Sequence, residues 1–372
     1  FSDSDFSRLY WESGGGDNVY YFSKIAPIPT NDNVTAFPRQ GDRMHAESWR
    51  SFRDNAIDPF RVALDYAHEI GLEFHASWRP AGFYAPPMDL ENSRAPFYKF
   101  HPELRGMDRN GNVTPRISFT YPETRRFVIS LLREMAGYGV DGICLLYNRR
   151  PPLVEYEPPL IEGFRSEYGQ DPREIDGNDQ RWLSYRARTL TQFHREVRQA
   201  MDEVGEEMGL TKRIEVSAVV MSNEEENIQN ALDLKAWIDE GLVDVIMPHI
   251  SAPDLDSLVE TWSDTRDAEW FVSLTRGTSC DLALNLMPRD SSAESYRRRA
   301  AALYDVGIEH FFFWDCVQSS RITYASNWSA LRRLGHRDEV RVWAESGKPS
   351  LATPKTELKR LGDWDLSYVT PG

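Results

Sequence analysis

Apolar residues along this chain occur in two alternating textures: short unbroken runs, and longer stretches in which they recur every three to four positions. The runs read as strands buried on both faces, and the stretches as amphipathic helices that cover them. Candidate strands are Ser7–Glu12, Asn18–Ser23, Leu72–Trp78, Val140–Tyr147, Arg213–Val220, Val243–Ile250, Trp270–Thr275 and Glu309–Trp314. Helical periodicity falls at about Glu47–Ile70, Glu123–Tyr138, Gln180–Met208, Ile228–Glu240, Leu255–Ser263 and Ala293–Asp305. Gly71, Gly139, Gly241 and Gly307 stand between a helix and the next strand, where a left-handed cap is expected. Strand-then-helix units with eight strands predict one α/β domain, a (β/α)8 TIM barrel over residues 1–336, with residues 337–372 as an extension packed on its outside. The first unit is irregular, because no helical pattern separates Ser7–Glu12 from Asn18–Ser23.

In such folds ligands bind beyond the carboxyl ends of the strands, so the residues there carry the functional reading. The run from Gly139 breaks into Tyr147-Asn148-Arg149-Arg150-Pro151-Pro152; His75, Trp78 and Arg79 close the third strand, His249 the sixth, and Trp314 with Asp315 the eighth. Two long loops, Arg79–Tyr121 and Asn148–Asn178, are rich in Pro, Arg and aromatic residues, as site-building loops are. Within the second, Glu155 and Glu157 lie two residues apart and point the same way in an extended segment. Glu224, Glu225 and Glu226 follow the fifth strand and precede a helix, whose exposed N–H groups explain one or two of them. Glu215 lies inside a strand with Ser217 on the same face, a buried charge that needs a partner.

A length of 372 residues with 41% hydrophobic content supports one large core, and a net charge of −15 disfavours nucleic acid or an anionic membrane as partner. No apolar run approaches the ~18 residues of a membrane span. Cys144, Cys280 and Cys316 form neither a disulfide framework nor a zinc pattern, and His75 with His249 lacks metal-ligand spacing, so no metal or cofactor is expected. A Gly-rich phosphate loop and a G-x-S-x-G elbow are absent. The 11 Trp and 16 Tyr suit a cleft of flat faces on which sugars stack. Phe1 in place of a methionine fits removal of a leading segment, and a secreted or periplasmic protein is the expectation.

Four segments, Ala67-His68-Glu69-Ile70-Gly71-Leu72-Glu73-Phe74-His75-Ala76-Ser77-Trp78, His101-Pro102-Glu103, Val140-Asp141-Gly142-Ile143 through Arg149-Arg150-Pro151, and Trp237-Ile238-Asp239-Glu240-Gly241-Leu242-Val243-Asp244, resemble the bacterial glycosyl hydrolase-like family 10 group. The resemblance runs from roughly Asp65 to Gly335 and implies a TIM barrel that hydrolyses glycosidic bonds. Relatives commonly carry an aspartate late in the fourth strand, in a pattern like Asp-Gly-Ile-His-Leu-Asp-Tyr; here that place is Leu146. The chemistry is therefore assigned to this chain's own carboxylates, Glu157 as general acid and Glu226 as nucleophile or base, the pair that glycoside hydrolysis requires. Trp78, Tyr147 and Trp314 are expected as sugar platforms, and His75, Asn148 and His249 as holders of hydroxyls. Arg79, Arg149 and Arg150 fit sulfate or carboxylate groups, with Glu155, Glu224 and Asp315 as further substrate contacts. The expected partner is a polysaccharide or oligosaccharide, with an anionic glycan favoured by the arginines. Two alternatives stand beside hydrolysis: a non-catalytic carbohydrate-binding barrel, motivated by Leu146, and a polysaccharide lyase with His249 or Tyr147 as base.

Overall fold

Runs such as Gly142-Ile143-Cys144-Leu145-Leu146 have no polar face to give to water, so they form strands only in the middle of a sheet covered on both sides. The computed structural model describes residues 4–32, 34, 36–37, 40–83, 96–148, 151–249, 265–286, 293–313 and 331–346. In it the parallel strands β1 (Arg8–Gly15), β3 (Glu73–Arg79), β6 (Gly142–Leu146), β7 (Glu215–Val220), β8 (Val245–Pro248), β9 (Asp281–Asn285) and β10 (His310–Phe312) lie side by side in chain order. Strand β2 (Asn18–Val19) folds back antiparallel on β1, and β4 (Arg105–Met107) pairs with β5 (Val113–Ile117) as a separate hairpin in the excursion after β3. The helices are α1 (Gln40–Asp54), α2 (Pro59–Glu69), α3 (Pro96–Phe100), α4 (Pro122–Ala136), α5 (Pro158–Tyr168), α6 (Gln180–Glu207), α7 (Glu224–Gln229), α8 (Leu234–Asp239), α9 (Arg266–Thr275), α10 (Ala293–Asp305) and α11 (Arg337–Glu345).

The sheet curls into a barrel. Cys144, Leu146, Val219, Val245, Met247, Ala283 and Phe312, inward-facing residues of five successive strands, form one buried cluster with Tyr10 of β1 packed against it. The Tyr10 ring sits 5.0 Å from His75 on one side and 5.5 Å from Phe312 on the other, so the first and last strands meet across the interior. Phe6 and Phe313 make a second bridge at 5.5 Å. Among the described residues no backbone ladder joins β10 to β1, and a cavity of about 550 Å³ opens along that seam, lined by residues of both strands and reaching Leu146 and Ala283 inside the barrel.

Four sequence expectations change. Trp270–Thr275 is the end of α9 and not a strand: Ala268 and Phe271, three residues apart, turn the same buried face inward, and the sixth parallel strand is Asp281–Asn285. Asn18–Ser23 contributes only a two-residue antiparallel turn-back. The Glu47–Ile70 helix is two helices, because Ala56 takes φ +54° and Asp58 caps a fresh helix that starts on Pro59. The Asn148–Asn178 loop contains α5, which opens on Pro158 and Pro159 and ends on left-handed Gly169. The Leu255–Ser263 helix, Cys316 and the extension beyond residue 346 lie outside the described residues.

The amino end of the barrel is closed by charge. Arg8 bridges Glu73 (2.6 Å) and Glu215 (2.9 Å), and Lys212 also binds Glu73, which supplies the partner Glu215 needs. Burial works against the Glu73 carboxylate, but the hydrogen bonds from Lys212 and Arg8 outweigh it and hold the group down at about 2. The outer layer is closed by packing. The Tyr147 hydroxyl meets His194 Nε2 of α6 at 2.8 Å, and the His194 ring lies 3.8 Å from Trp237 of α8. Burial drops His194 to about 3, so it is a neutral imidazole in that layer.

His75 shares its tier with Gly142 of the neighbouring strand, where a Cβ would come within 2.4 Å of the imidazole and 2.9 Å of the Glu215 carbonyl oxygen. Gly142→Ala is expected to lower unfolding free energy by about 1–3 kcal/mol through overpacking, read as a fall in urea midpoint at unchanged slope. An unchanged midpoint would mean that the imidazole can swing clear.

Candidate functional site

Ladder pairing sets Leu146 beside Val219, Val219 beside Met247, and Asn285 beside Phe312. The backbone pairing continues past the strand ends, with Tyr147 N donating to Val219 O (2.9 Å) and His249 N to Val220 O (3.0 Å). Two residues after Leu146 and Met247, on the same inward face, stand Asn148 and His249, level with Asn285. This tier forms the throat of the barrel at its carboxyl end. Asn148 is 2% exposed and Asn285 9%, and neither the carbonyl nor the amino end of either amide has a hydrogen-bond partner. His249 is buried between them in the strand order.

The carboxyl groups lie further out, on the loops. Glu157 is the residue before the first turn of α5, but its side chain makes no cap bond. With prolines at both of the next positions, few N–H groups are left for a cap to accept from. The carboxyl turns instead to the wall formed by the β4–β5 excursion, accepting from Thr120 Oγ1 (3.1 Å) and from the Glu155 N–H (3.0 Å) through Oε2, while Oε1 has no partner. Oε1 of Glu157 and Oε2 of Glu155 both face the bare backbone of Gly106, lying 3.3 and 3.6 Å from where its Cβ would be. Burial raises the pKa of Glu157, and the hydrogen bonds it accepts offset only part of that. Burial and then repulsion from Glu157 raise Glu155. Arg186 of α6 is the buried cation here, donating to the carbonyls of Val154 (3.2 Å) and Gln229 (2.8 Å) and so tying the loop after β6 to the end of α7.

Glu226 is half-buried in α7. Its N–H donates to the Asn223 cap (2.9 Å) and its carboxylate accepts from Ser222 Oγ (2.8 Å), an arrangement that also stabilises the helix start. Glu224 is exposed in that first turn, and Glu225 accepts from Gln229 (3.0 Å). Arg79 ends β3 with its guanidinium on Glu12 Oε2 (2.8 Å), so a carboxylate of the chain already answers its charge.

Several expected contacts fall elsewhere. Trp78 and Tyr147 are fully buried on the outward face of the sheet, Trp78 packed 6.2 Å from Phe83 and Tyr147 against His194 and Trp237, so neither ring has a face to offer a sugar. His75 is the third residue of β3 and not its end; it sits low in the interior, where burial lowers its pKa to about 3. The lyase reading loses Tyr147 as a base, because burial holds its hydroxyl well above the ordinary range and His194 occupies it. Leu146 packs in the interior cluster directly beneath Asn148. Arg149, Arg150, Trp314 and Asp315 lie outside the described residues. Sequence reasoning missed Asn285, Glu12 and Arg186. Asn285 is a strand-end position that the correct strand assignment would have exposed, Glu12 lies within β1, and nothing local marks Arg186 among the arginines of a long helix.

Parallel strands whose polar side chains gather at their carboxyl ends define a barrel of the ligand-binding or enzymatic kind. The chain belongs to the glycosyl hydrolase-like 10 family, which its residues 21–274 match. No curated protein matches it. Among solved structures it is similar to a β-galactosidase from the psychrophilic Marinomonas ef1, at 14% identity and TM-score 0.48, over 88% of this chain and 55% of that one. A multi-modular cell-surface chitinase from Paenibacillus sp. str. FPU-7 aligns at 13% identity and TM-score 0.42, over 90% of this chain and 33% of that one. A family 18 N-acetylglucosaminidase from Paenibacillus barengoltzii aligns at 10% identity and TM-score 0.39, over 74% and 87%. The chain thus spans about half of the galactosidase and a third of the chitinase.

The raised Glu157 carboxyl has a stability consequence whose sign is fixed. Between the ordinary glutamate range and its raised folded value, the native state keeps a proton that the unfolded chain has released, so stability falls as pH rises through that window. Glu157→Gln removes the titration. Denaturant titrations are expected to show the variant gaining on the parent as pH rises above the ordinary glutamate range; a constant difference would mean that Glu157 is ionised in the fold.

Proposed function

We propose that this protein is a glycoside hydrolase acting on a polysaccharide or oligosaccharide, with Glu157 as general acid. One observation carries the reading: a carboxyl on the loop beyond a central strand, 0% exposed, raised by burial and with an unpartnered oxygen, as a proton donor at neutral pH needs. Glu226, in the first turn of α7 beyond the adjacent strand and oriented by Ser222, is the proposed nucleophile or base. Arg186 ties the loop that carries Glu157 to the end of α7 through Val154 and Gln229. His249 and Asn148 are the proposed hydroxyl contacts at the throat.

A carbohydrate-binding barrel without turnover is the second reading. Two observations favour it: Leu146 fills the interior where relatives place an aspartate, and Glu226 serves as a helix-start residue.

Reducing-end release from a panel of neutral, uronic and sulfated polysaccharides separates the two readings. Under the hydrolase reading, Glu157→Gln and Glu226→Gln each cut turnover at least 10²-fold while glycan binding survives. Binding without product in the parent protein would select the recognition barrel.

A further inference from the structure

The geometry points to Asn148 and Asn285 as the floor of a subsite for a neutral, hydroxyl-bearing sugar unit, with Asn285 a specificity-determining residue. The inference rests on the carbohydrate reading above and deepens it. Both amides are at least nine-tenths buried on the inward face of the throat, and both lack partners at either end. A buried polar group without a partner is costly, and native structures retain few of them. Two such amides, on strand ends either side of His249, form a prepared set of donors and acceptors awaiting a ligand.

Their chemistry selects the ligand. An amide offers two donors and an acceptor without charge, which matches sugar hydroxyls that both donate and accept. An anionic sugar would need a cation, and among the described residues Arg79 at this end of the barrel is paired with Glu12 at 2.8 Å. The seam cavity of about 550 Å³ lies one tier below the amides, lined by Leu146 and Ala283, each two residues before one of the asparagines, and by Phe312, the ladder partner of Asn285. That volume lies within the range of small-ligand pockets.

The test is calorimetric titration of the full chain with neutral probes (cello-, xylo-, malto- and chito-oligosaccharides) and anionic probes (oligogalacturonate and a sulfated carrageenan oligosaccharide). Asn148→Leu and Asn285→Leu are measured alongside, each with its melting temperature. A neutral probe is expected to bind, each variant to weaken it by about tenfold or more, and both melting temperatures to hold or rise, since each variant removes an unsatisfied amide. Binding confined to anionic probes, unchanged affinity in the variants, or a lowered melting temperature in both would overturn the neutral-sugar floor while leaving the carbohydrate reading in place. Binding of no probe of either charge would overturn both.

Discussion

Parallel strands have no tight turn to set their register, so something must fix where each one starts against its neighbour. Two aspartates do this here. Asp141, just before β6, accepts the Phe74 N–H of β3 at 2.8 Å, and Asp244, just before β8, accepts the Val216 N–H of β7 at 2.7 Å. Each also donates its own N–H back, to Phe74 O and Val216 O. A second bond from each aspartate reaches the helix layer, to His68 for Asp141 and to Arg198 for Asp244. Because a slip of one residue would turn every inward side chain outward, these bonds decide which residues meet inside the barrel. The contact of Tyr10 with Phe312, the filling of the interior by Leu146 and Met247, and the meeting of Asn148, His249 and Asn285 at one level all follow from that register.

The two ends of the barrel are built on opposite principles. At the amino end Arg8, Glu73, Glu215 and Lys212 satisfy one another, and His75 above them is held neutral by burial. At the carboxyl end the throat carries Asn148 and Asn285, uncharged amides whose hydrogen-bonding capacity is left unused. In barrels of this kind the first end serves stability and the second serves ligands. A network complete within the chain gains nothing from a ligand, whereas an incomplete one does.

Legibility in the sequence followed the length of the apolar signal. The runs at Leu72–Trp78, Val140–Tyr147 and Arg213–Val220 were readable as central strands because five or more consecutive positions are buried in each. Asp281–Asn285 was not, since its short run competes with the equally apolar Trp270–Thr275, and only the three-residue spacing of Ala268 and Phe271 marks the latter as helix. That one misassignment hid Asn285. The rings of Trp78 and Tyr147 were misplaced for a related reason: composition says that aromatic faces exist, but strand parity decides which face of the sheet they occupy, and both fall on the outward one. Asn148 stood out because a polar group directly after a buried run has few structural uses, and Glu157 because it lies two residues from Glu155.

Leu146 separates the functional readings most sharply. It occupies the interior, packed beneath Asn148, in the place where the family resemblance implies an aspartate. With an apolar residue at that level, no carboxylate rises from the middle of β6, and under the hydrolase proposal the acid comes from the loop beyond it. Glu157 suits that shift, because the excursion after β3 encloses it: Thr120 and the Gly106 backbone replace the water that would otherwise keep it ionised. The same enclosure shuts the carboxyl away from solvent, so a proton can pass to a glycosidic oxygen only when sugar or water reaches Oε1, the oxygen without a partner. A residue buried merely to brace the loop would have had both oxygens satisfied, as those of Asp171 are by Arg173. The half-satisfied state of Glu157 is therefore the feature on which the proposed acid role rests.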